Sequence, residues 1–188
     1  MFNKYHRSAA ICLLAFGIIS FTSVLNAQND KPISIPKVGD KAPEFSLQDF
    51  NGNKFELSKA VQQHGLLLWF TNLCEGCQSK ISDVEKIKSV YEKKGVNIAA
   101  VSVLGEDRKT VEQIIKDNKI TFPFLYDPDG KVAEIYSGKY IPGTCPLKNI
   151  YIISKDGKIT FASHLPGVKT NELIKQLDRH IDKGDLLK

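Results

Sequence analysis

The chain has 188 residues and a formal net charge of +5, from 26 Lys and Arg residues against 21 Asp and Glu residues. The basic residues are scattered among acidic neighbours and form no basic stripe, so a nucleic-acid partner is excluded. This length and mixed composition suit a single domain with one hydrophobic core.

The first 27 residues have the three-part pattern of a secretory signal peptide. Lys4 and Arg7 precede an apolar stretch from Ala9 to Phe21, and small and polar residues follow as far as Ala27. We expect cleavage after Ala27 and export to the periplasm. An uncleaved anchor stays open as an alternative, although the stretch is short for a spanning helix of about 20 residues.

Residues 28–41 are polar with two prolines and predict an extended lead-in to a domain that covers residues 42–184. Asn51-Gly52 lies between two segments in which apolar and polar residues alternate, 45–47 and 54–57, and predicts an N-terminal β-hairpin. The apolar run 66–70 predicts a buried strand. A turn with two cysteines follows, and then a helix that ends at Gly95 and has its apolar side chains at helical spacing: Ile81, Val84, Ile87 and Tyr91.

The second half continues the alternation of strands and helices. Residues 98–104 and 122–126 predict strands, and between them Thr110 and Gln113 have the spacing of a helix capping box. Residues 127–130 predict a turn. A second hairpin around Asp156-Gly157 and a final amphipathic helix complete the chain. This order predicts an α/β sandwich with a central mixed β-sheet flanked by helices.

Cys74 and Cys77 are two residues apart, directly after the predicted buried strand and before the predicted helix. Unpaired N–H groups and the dipole at a helix start favour a thiolate. A lowered thiol pKa promotes disulfide exchange, so this placement predicts a redox pair. The adjacent charge of Glu75 acts in the opposite direction, but a solvated side chain is screened.

A static disulfide and a metal site are the alternatives for this pair. Closing a loop of two residues gains little chain entropy, which argues against a purely stabilising bridge. Cys145 is a third thiol outside the predicted signal peptide. An odd count with one close pair is unlike the disulfide framework of a small secreted protein.

Two groups of residues resemble the redoxin branch of the thioredoxin fold. The first runs from Gly39 to Asp49, and the second comprises residues 129–136 and 150–159. That branch contains the AhpC/TSA peroxiredoxins and the TlpA/ResA-like thiol–disulfide oxidoreductases. The resemblance covers residues 38–181 and implies a thioredoxin-like sandwich. The Cys-x-x-Cys turn is most similar to the TlpA/ResA side.

The resemblance also implies roles for individual residues. Cys74 would be the attacking thiol and Cys77 the resolving thiol, with Glu75 in a familiar position after the first cysteine. Pro146 would be the family's cis-proline, which requires a local two-residue insertion. Gly76 stands where proline is commoner, Leu73 where an aromatic residue is usual, and Lys80 where an acid is frequent.

Cys145 has three possible roles. Beside a cis-proline it would lie close to the redox sulfurs, as a second resolving thiol. It could instead join a soft-metal site that His164 or His64 completes. The simplest interpretation is a packed small apolar residue.

A peroxiredoxin-like thiol peroxidase, with antioxidant activity, is the other alternative within the same fold. Thr71 lies three residues before Cys74, as in the Thr-x-x-Cys arrangement of the peroxidases. However, Leu67 stands where that motif has proline, and Lys148 where it has arginine. A lysine lacks the planar fork that would hold a peroxide.

The expected partners follow from the resemblance. They are protein clients with disulfides and a membrane thiol donor of electrons, and we expect a monomer that uses no cofactor and no metal. A metal-handling, copper-binding protein on the same fold remains the rival from another class.

Overall fold

The computed structural model describes residues 34–103, 107–141 and 144–185, with side chains as far as Ile181. The expected signal peptide, and the lead-in before Ser34, lie outside the described residues. None of the described helices is long and apolar enough to cross a membrane. The boundaries expected for the lead-in and the domain stay predictions.

A seven-stranded mixed sheet runs through the molecule in the order β2-β1-β5-β4-β3-β6-β7. The central strands β3, β4 and β5 are parallel, and each flank is antiparallel. The strands are β1 (Ser46–Asp49), β2 (Lys54–Glu56), β3 (Leu66–Thr71), β4 (Asn97–Ser102), β5 (Phe124–Tyr126), β6 (Ile150–Ile153) and β7 (Ile159–Ser163).

Helices cover both faces of this sheet. They are α1 (Leu57–Ala60), α2 (Glu75–Gln78), α3 (Ile81–Tyr91), α4 (Arg108–Asp117), α5 (Lys131–Ser137) and α6 (Thr170–Asp185), with 3₁₀ turns at Glu92–Lys94 and Leu165–Gly167. The predicted thioredoxin-like sandwich with a mixed sheet is therefore confirmed, and its N-terminal hairpin extends the sheet by pairing β1 with β5.

Strand β3 is buried along its whole length because it lies between β4 and β6 and under helices on both faces. Its side chains alternate between two cores. Leu67 and Trp69 pack with α2, α3 and α6. Leu66, Leu68 and Phe70 pack with α1 and α5 on the opposite face. This packing fixes the end of β3, from which the cysteine turn starts.

Three local predictions needed correction. The single helix expected after the cysteines is split into α2 and α3 around Ser79 and Lys80. The Thr110–Gln113 capping box is wrong, because Asp107 caps α4 by accepting from the Thr110 backbone N–H. The strand expected over 122–126 begins only at Phe124. Helix α5 was not predicted at all.

Candidate active site

The turn that carries the cysteines is held by side-chain-to-backbone hydrogen bonds. The Leu73 N–H donates to Thr71 Oγ1 at 3.0 Å, and the Cys74 N–H donates to Asn72 Oδ1 at 3.2 Å. Leu73 has a φ of +51°, which is rare for a residue other than glycine. Its side chain is nevertheless buried. The buried leucine and the two Asx- and ST-type bonds together stabilise this conformation.

Cys74 is the residue immediately before α2, with an extended backbone conformation. Burial raises the pKa of its thiol, but hydrogen bonds from the Cys145 thiol and from the N–H and thiol of Cys77 lower it by more. The net pKa lies below its usual value, in the predicted direction. The N–H groups of Cys77 and Gly76 at the helix start contribute, as predicted, and the larger contribution of Cys145 was not predicted.

Cys77 lies in the core that contains Leu67 and Trp69, and its side chain is fully buried. Burial raises the pKa of its thiol to about 12, even though the Thr71 hydroxyl donates to the sulfur. The Asn149 side-chain amide also points at this sulfur, with Nδ2 at 4.0 Å from Sγ. The two cysteines are therefore unequal: Cys74 is partly exposed and its pKa is lowered, whereas Cys77 is buried and its pKa is raised.

Cys145 joins the pair. Its Sγ atom is 3.1 Å from Cys74 Sγ, and the sulfurs of Cys74, Cys77 and Cys145 all lie within 4.8 Å of one another. The contact with Cys74 and partial burial both raise the pKa of the Cys145 thiol. The expectation that three thiols converge is confirmed, although the proposed reason for it is not.

That reason was a cis-proline at position 146, and it is wrong. No cis peptide bond occurs among the described residues, which include Cys145 and Pro146. Cys145 is held instead by Asn72, whose Nδ2 donates to the Thr144 carbonyl at 3.0 Å. The Pro146 carbonyl pairs with His164 Nδ1 at 2.9 Å. Pro146 thus lies beside the site without the conformation that the resemblance implied.

Neither histidine that was considered as a fourth ligand belongs to the sulfur cluster. Among the described residues, the group with metal-binding spacing consists of the three cysteines alone. His164 is engaged with Pro146, and the His64 carbonyl pairs with His180 on α6. A site completed by His164 or His64 is therefore not what the structure shows.

The other predicted residues surround the pair. Glu75 and Gly76 are exposed at the start of α2. A Cβ atom added at Gly76 would meet Pro166 at 3.8 Å, an ordinary contact. Lys80, between α2 and α3, donates from Nζ to the Val168 carbonyl at 3.1 Å. This hydrogen bond connects the junction of the two helices to the segment before α6.

Sequence reasoning missed two asparagines, Asn72 and Asn149. Asn72 had a usable signal, because an asparagine side chain commonly accepts from the backbone N–H two residues later in an Asx turn, here that of Cys74. Asn149 had none, since it is a polar residue next to an apolar run. It is fully buried, and its Oδ1 accepts from the Leu165 N–H at 2.7 Å.

The contacts of Thr71 bear on the peroxidase alternative. Its hydroxyl accepts a hydrogen bond from the Leu73 N–H and donates one to the Cys77 sulfur. Neither of these bonds is to Cys74. The spacing that suggested a peroxidatic Thr-x-x-Cys site therefore corresponds to a different contact here.

Comparison with known proteins identifies the family. The sequence profile of the AhpC/TSA family matches residues 38–162. The chain belongs to the AhpC/TSA family. A thiol-disulfide oxidoreductase ResA of Geobacillus thermodenitrificans is 30% identical over 166 residues, which cover 88% of this chain and 89% of the relative. A protein of the same name from Bacillus cereus (strain ATCC 10987) is 27% identical and covers 96% of both chains.

Solved structures share the fold of this AhpC/TSA member. A putative thiol:disulfide interchange protein DsbE from Chlorobium tepidum superposes with a TM-score of 0.66 at 22% identity, over 79% of this chain and 99% of the other. The peroxidoxin BcpB from Mycobacterium tuberculosis gives 0.62 at 19% identity, over 78% and 97%. The fold therefore does not separate the two activities. The ResA relatives and the cysteine pair do, and the prediction of a thiol–disulfide oxidoreductase is confirmed.

Proposed function

We propose that this oxidoreductase is exported and reduces disulfides in client proteins, with Cys74 as nucleophile and Cys77 as resolving thiol. The observation that carries the proposal is the inequality of the two cysteines. Cys74 is partly exposed at the tip of the turn, and Cys77 is fully buried beneath it. Of these two sulfurs, a client disulfide can therefore reach only that of Cys74 directly.

The chemistry takes two exchange steps. The Cys74 thiolate attacks one sulfur of the client disulfide, a mixed disulfide forms, and the other client sulfur leaves as a thiolate. The Cys77 thiol then loses its proton and attacks Cys74 Sγ, which releases the second client thiolate. Two electrons have moved to the client, and a Cys74–Cys77 disulfide remains.

Burial of Cys77 has a specific role in this sequence. A protonated, enclosed thiol does not compete with Cys74 for the incoming client, and its pKa of about 12 makes it a poor leaving group once it is bonded. The Thr71 hydroxyl that donates to its sulfur stabilises the thiolate when the second step demands it. The proposal therefore assigns Thr71 to the resolving step.

Export and the direction of electron flow complete the proposal. The signal-peptide pattern of residues 1–27 supports export, and we propose the periplasm as the destination. A reductase in an oxidising compartment needs a supply of electrons, for which we propose a membrane thiol donor. We also propose that the protein acts as a monomer.

Reduction of insulin disulfides in the presence of dithiothreitol tests the function. The protein should accelerate this reduction. We expect Cys74→Ser to abolish the acceleration, and Ser89→Ala, a surface change on α3, to leave it intact. An unchanged rate for Cys74→Ser would contradict the proposal. Rapid hydrogen peroxide consumption that needs Cys74 alone would favour the peroxidase, and thiols that resist alkylation until a chelator is added would favour metal handling.

A further inference from the structure

We propose that Cys145 is a second resolving cysteine, which attacks Cys74 in the mixed disulfide and forms a Cys74–Cys145 disulfide. This inference rests on the proposed function and extends its second step. It starts from the distance of 3.1 Å between the two sulfurs. A disulfide bond is about 2.05 Å long, so the sulfurs need to approach by only about 1 Å.

The amide side chain of Asn72 contacts both Cys74 and the segment that carries Cys145. Asn72 Oδ1 accepts from the Cys74 N–H at 3.2 Å and lies 3.7 Å from Cys145 Sγ, while Nδ2 donates to the Thr144 carbonyl at 3.0 Å. The cysteine turn and the segment that carries Cys145 are thus joined at the site. Asn72 acts as a positioning residue for the contact between the sulfurs.

The backbone around Cys145 permits the required movement. Residues 144–148 form no helix or strand, and the backbone hydrogen bonds to β3 and β7 begin only at Asn149, so a shift of the Cys145 sulfur breaks no regular hydrogen-bond ladder. Cys77, by comparison, is within α2 and fully enclosed. Cys145 and Cys74 are both partly exposed, so a client that is bonded to Cys74 meets Cys145 at the surface and Cys77 from below.

The contacts of the Cys145 sulfur go beyond those of a residue that only fills space. Cys145 packs against the core that contains Cys77, but its sulfur also lies 3.1 Å from Cys74 Sγ and 3.7 Å from Asn72 Oδ1. The Cys145 contact also lowers the pKa of Cys74. The same thiol that promotes the first step is therefore in place for the second.

The exchange balances without another reactant. The Cys145 thiol gives up its proton, its sulfur attacks Cys74 Sγ, and the bond from Cys74 to the client breaks. The client leaves as a thiolate and takes up a proton. The client has then been reduced by two electrons, and the Cys74–Cys145 disulfide is the oxidised product. Cys77 can later attack Cys74 Sγ, which moves the disulfide to Cys74–Cys77 and restores the Cys145 thiol.

Mixed-disulfide lifetimes test the proposal, with oxidised glutathione as the probe and alkylation followed by intact mass as the readout. Cys77→Ala should lose its glutathione adduct and gain a Cys74–Cys145 disulfide. The matched double variant Cys77→Ala/Cys145→Ala should keep the adduct on Cys74. Because the internal attack is intramolecular, we expect the adduct to persist at least about tenfold longer in the double variant.

Equal adduct lifetimes in these two variants would overturn the role of Cys145. If Cys74 forms no adduct in any variant, the proposed function itself fails, so the two failures are distinguishable. Peptide mapping of the unaltered protein, quenched during its first turnover, covers the case in which Cys77→Ala does not fold. A Cys74–Cys145 peptide is the expected product there, and its absence throughout the turnover would contradict the inference.

Discussion

At the scale of single residues, the reactivity of Cys74 depends on groups that hydrogen-bond to its sulfur. Burial alone would raise the pKa of this thiol, and the thiol of Cys145 and the groups of Cys77 reverse that effect. Because of these hydrogen bonds, the Cys74 thiol ionises at a lower pH than an ordinary cysteine thiol does. The negative charge of the exposed Glu75, which acts to raise this pKa, does not reverse the net lowering.

We predict that Cys145→Ala raises the pKa of Cys74, because the thiolate loses its principal hydrogen-bond donor. Cys145→Ser keeps a hydroxyl donor and should stay close to the unaltered protein. The measurement is the rate of Cys74 alkylation by iodoacetamide against pH. The alanine curve should be displaced to higher pH, with slower alkylation near neutrality, and coincident curves would contradict this account.

Residue-level prediction from sequence succeeded where spacing and position alone were decisive. The position of Cys74 immediately before a helix and the lowered pKa of its thiol were predicted correctly, whereas the roles of nucleophile and resolving thiol stay predictions. Cys145 was expected to lie beside the other two cysteines because of a cis-proline at position 146, and no cis peptide bond occurs among the described residues. The segment that carries Cys145 is held at the site instead by the hydrogen bond from Asn72 Nδ2 to the Thr144 carbonyl. A contact between residues 72 and 144 depends on how two distant turns pack, and no local pattern encodes it.

At the scale of elements, β3 positions the whole site, and its start is tightly packed. Gly65 precedes this strand with a φ of +99°. A Cβ atom at this position would overlap the Ile153 carbonyl of β6 and lie 2.6 Å from His180 Nε2 on α6. The close approach of β3, β6 and α6 therefore requires glycine.

Gly65→Ala should destabilise the protein by about 2 kcal/mol more than Gly52→Ala. Gly52 is the matched control, because its φ is +86° and nothing lies within 4 Å of an added Cβ. Both changes carry the backbone strain, and only the first adds overlap. Urea denaturation measures the difference, and equal losses in unfolding free energy would show that the packing at β3 is looser than described.

The elements that sequence patterns predicted were those with strong local signals. The buried strand β3 and the hairpin turns at Gly52 and Gly157 fall where expected. Helix α5 was missed because it is only seven residues long and follows Gly130. Its first turn is stabilised by Asp127, whose Oδ2 accepts from the Ala133 N–H at 2.8 Å, and the sequence showed that residue only as part of a turn.

At the scale of the whole molecule, the fold could be predicted because ordered motifs along the chain specify it jointly. Strand, cysteine turn, helix and strand define the parallel centre of the sheet, and the second hairpin adds the antiparallel flank. Membership of the AhpC/TSA family agrees with this order. The direction of electron flow depends on reduction potentials and partners, which strand order does not encode.

The most direct test of the central claim is a redox titration of the purified protein in graded thiol–disulfide buffers, with free thiols counted by alkylation and intact mass. The proposal predicts one reversible two-electron step that forms a disulfide within the cluster of Cys74, Cys77 and Cys145. A midpoint of roughly −270 mV would agree with a reductase. A midpoint of roughly −120 mV would contradict the reducing direction, and the absence of any reversible step would contradict the redox assignment itself.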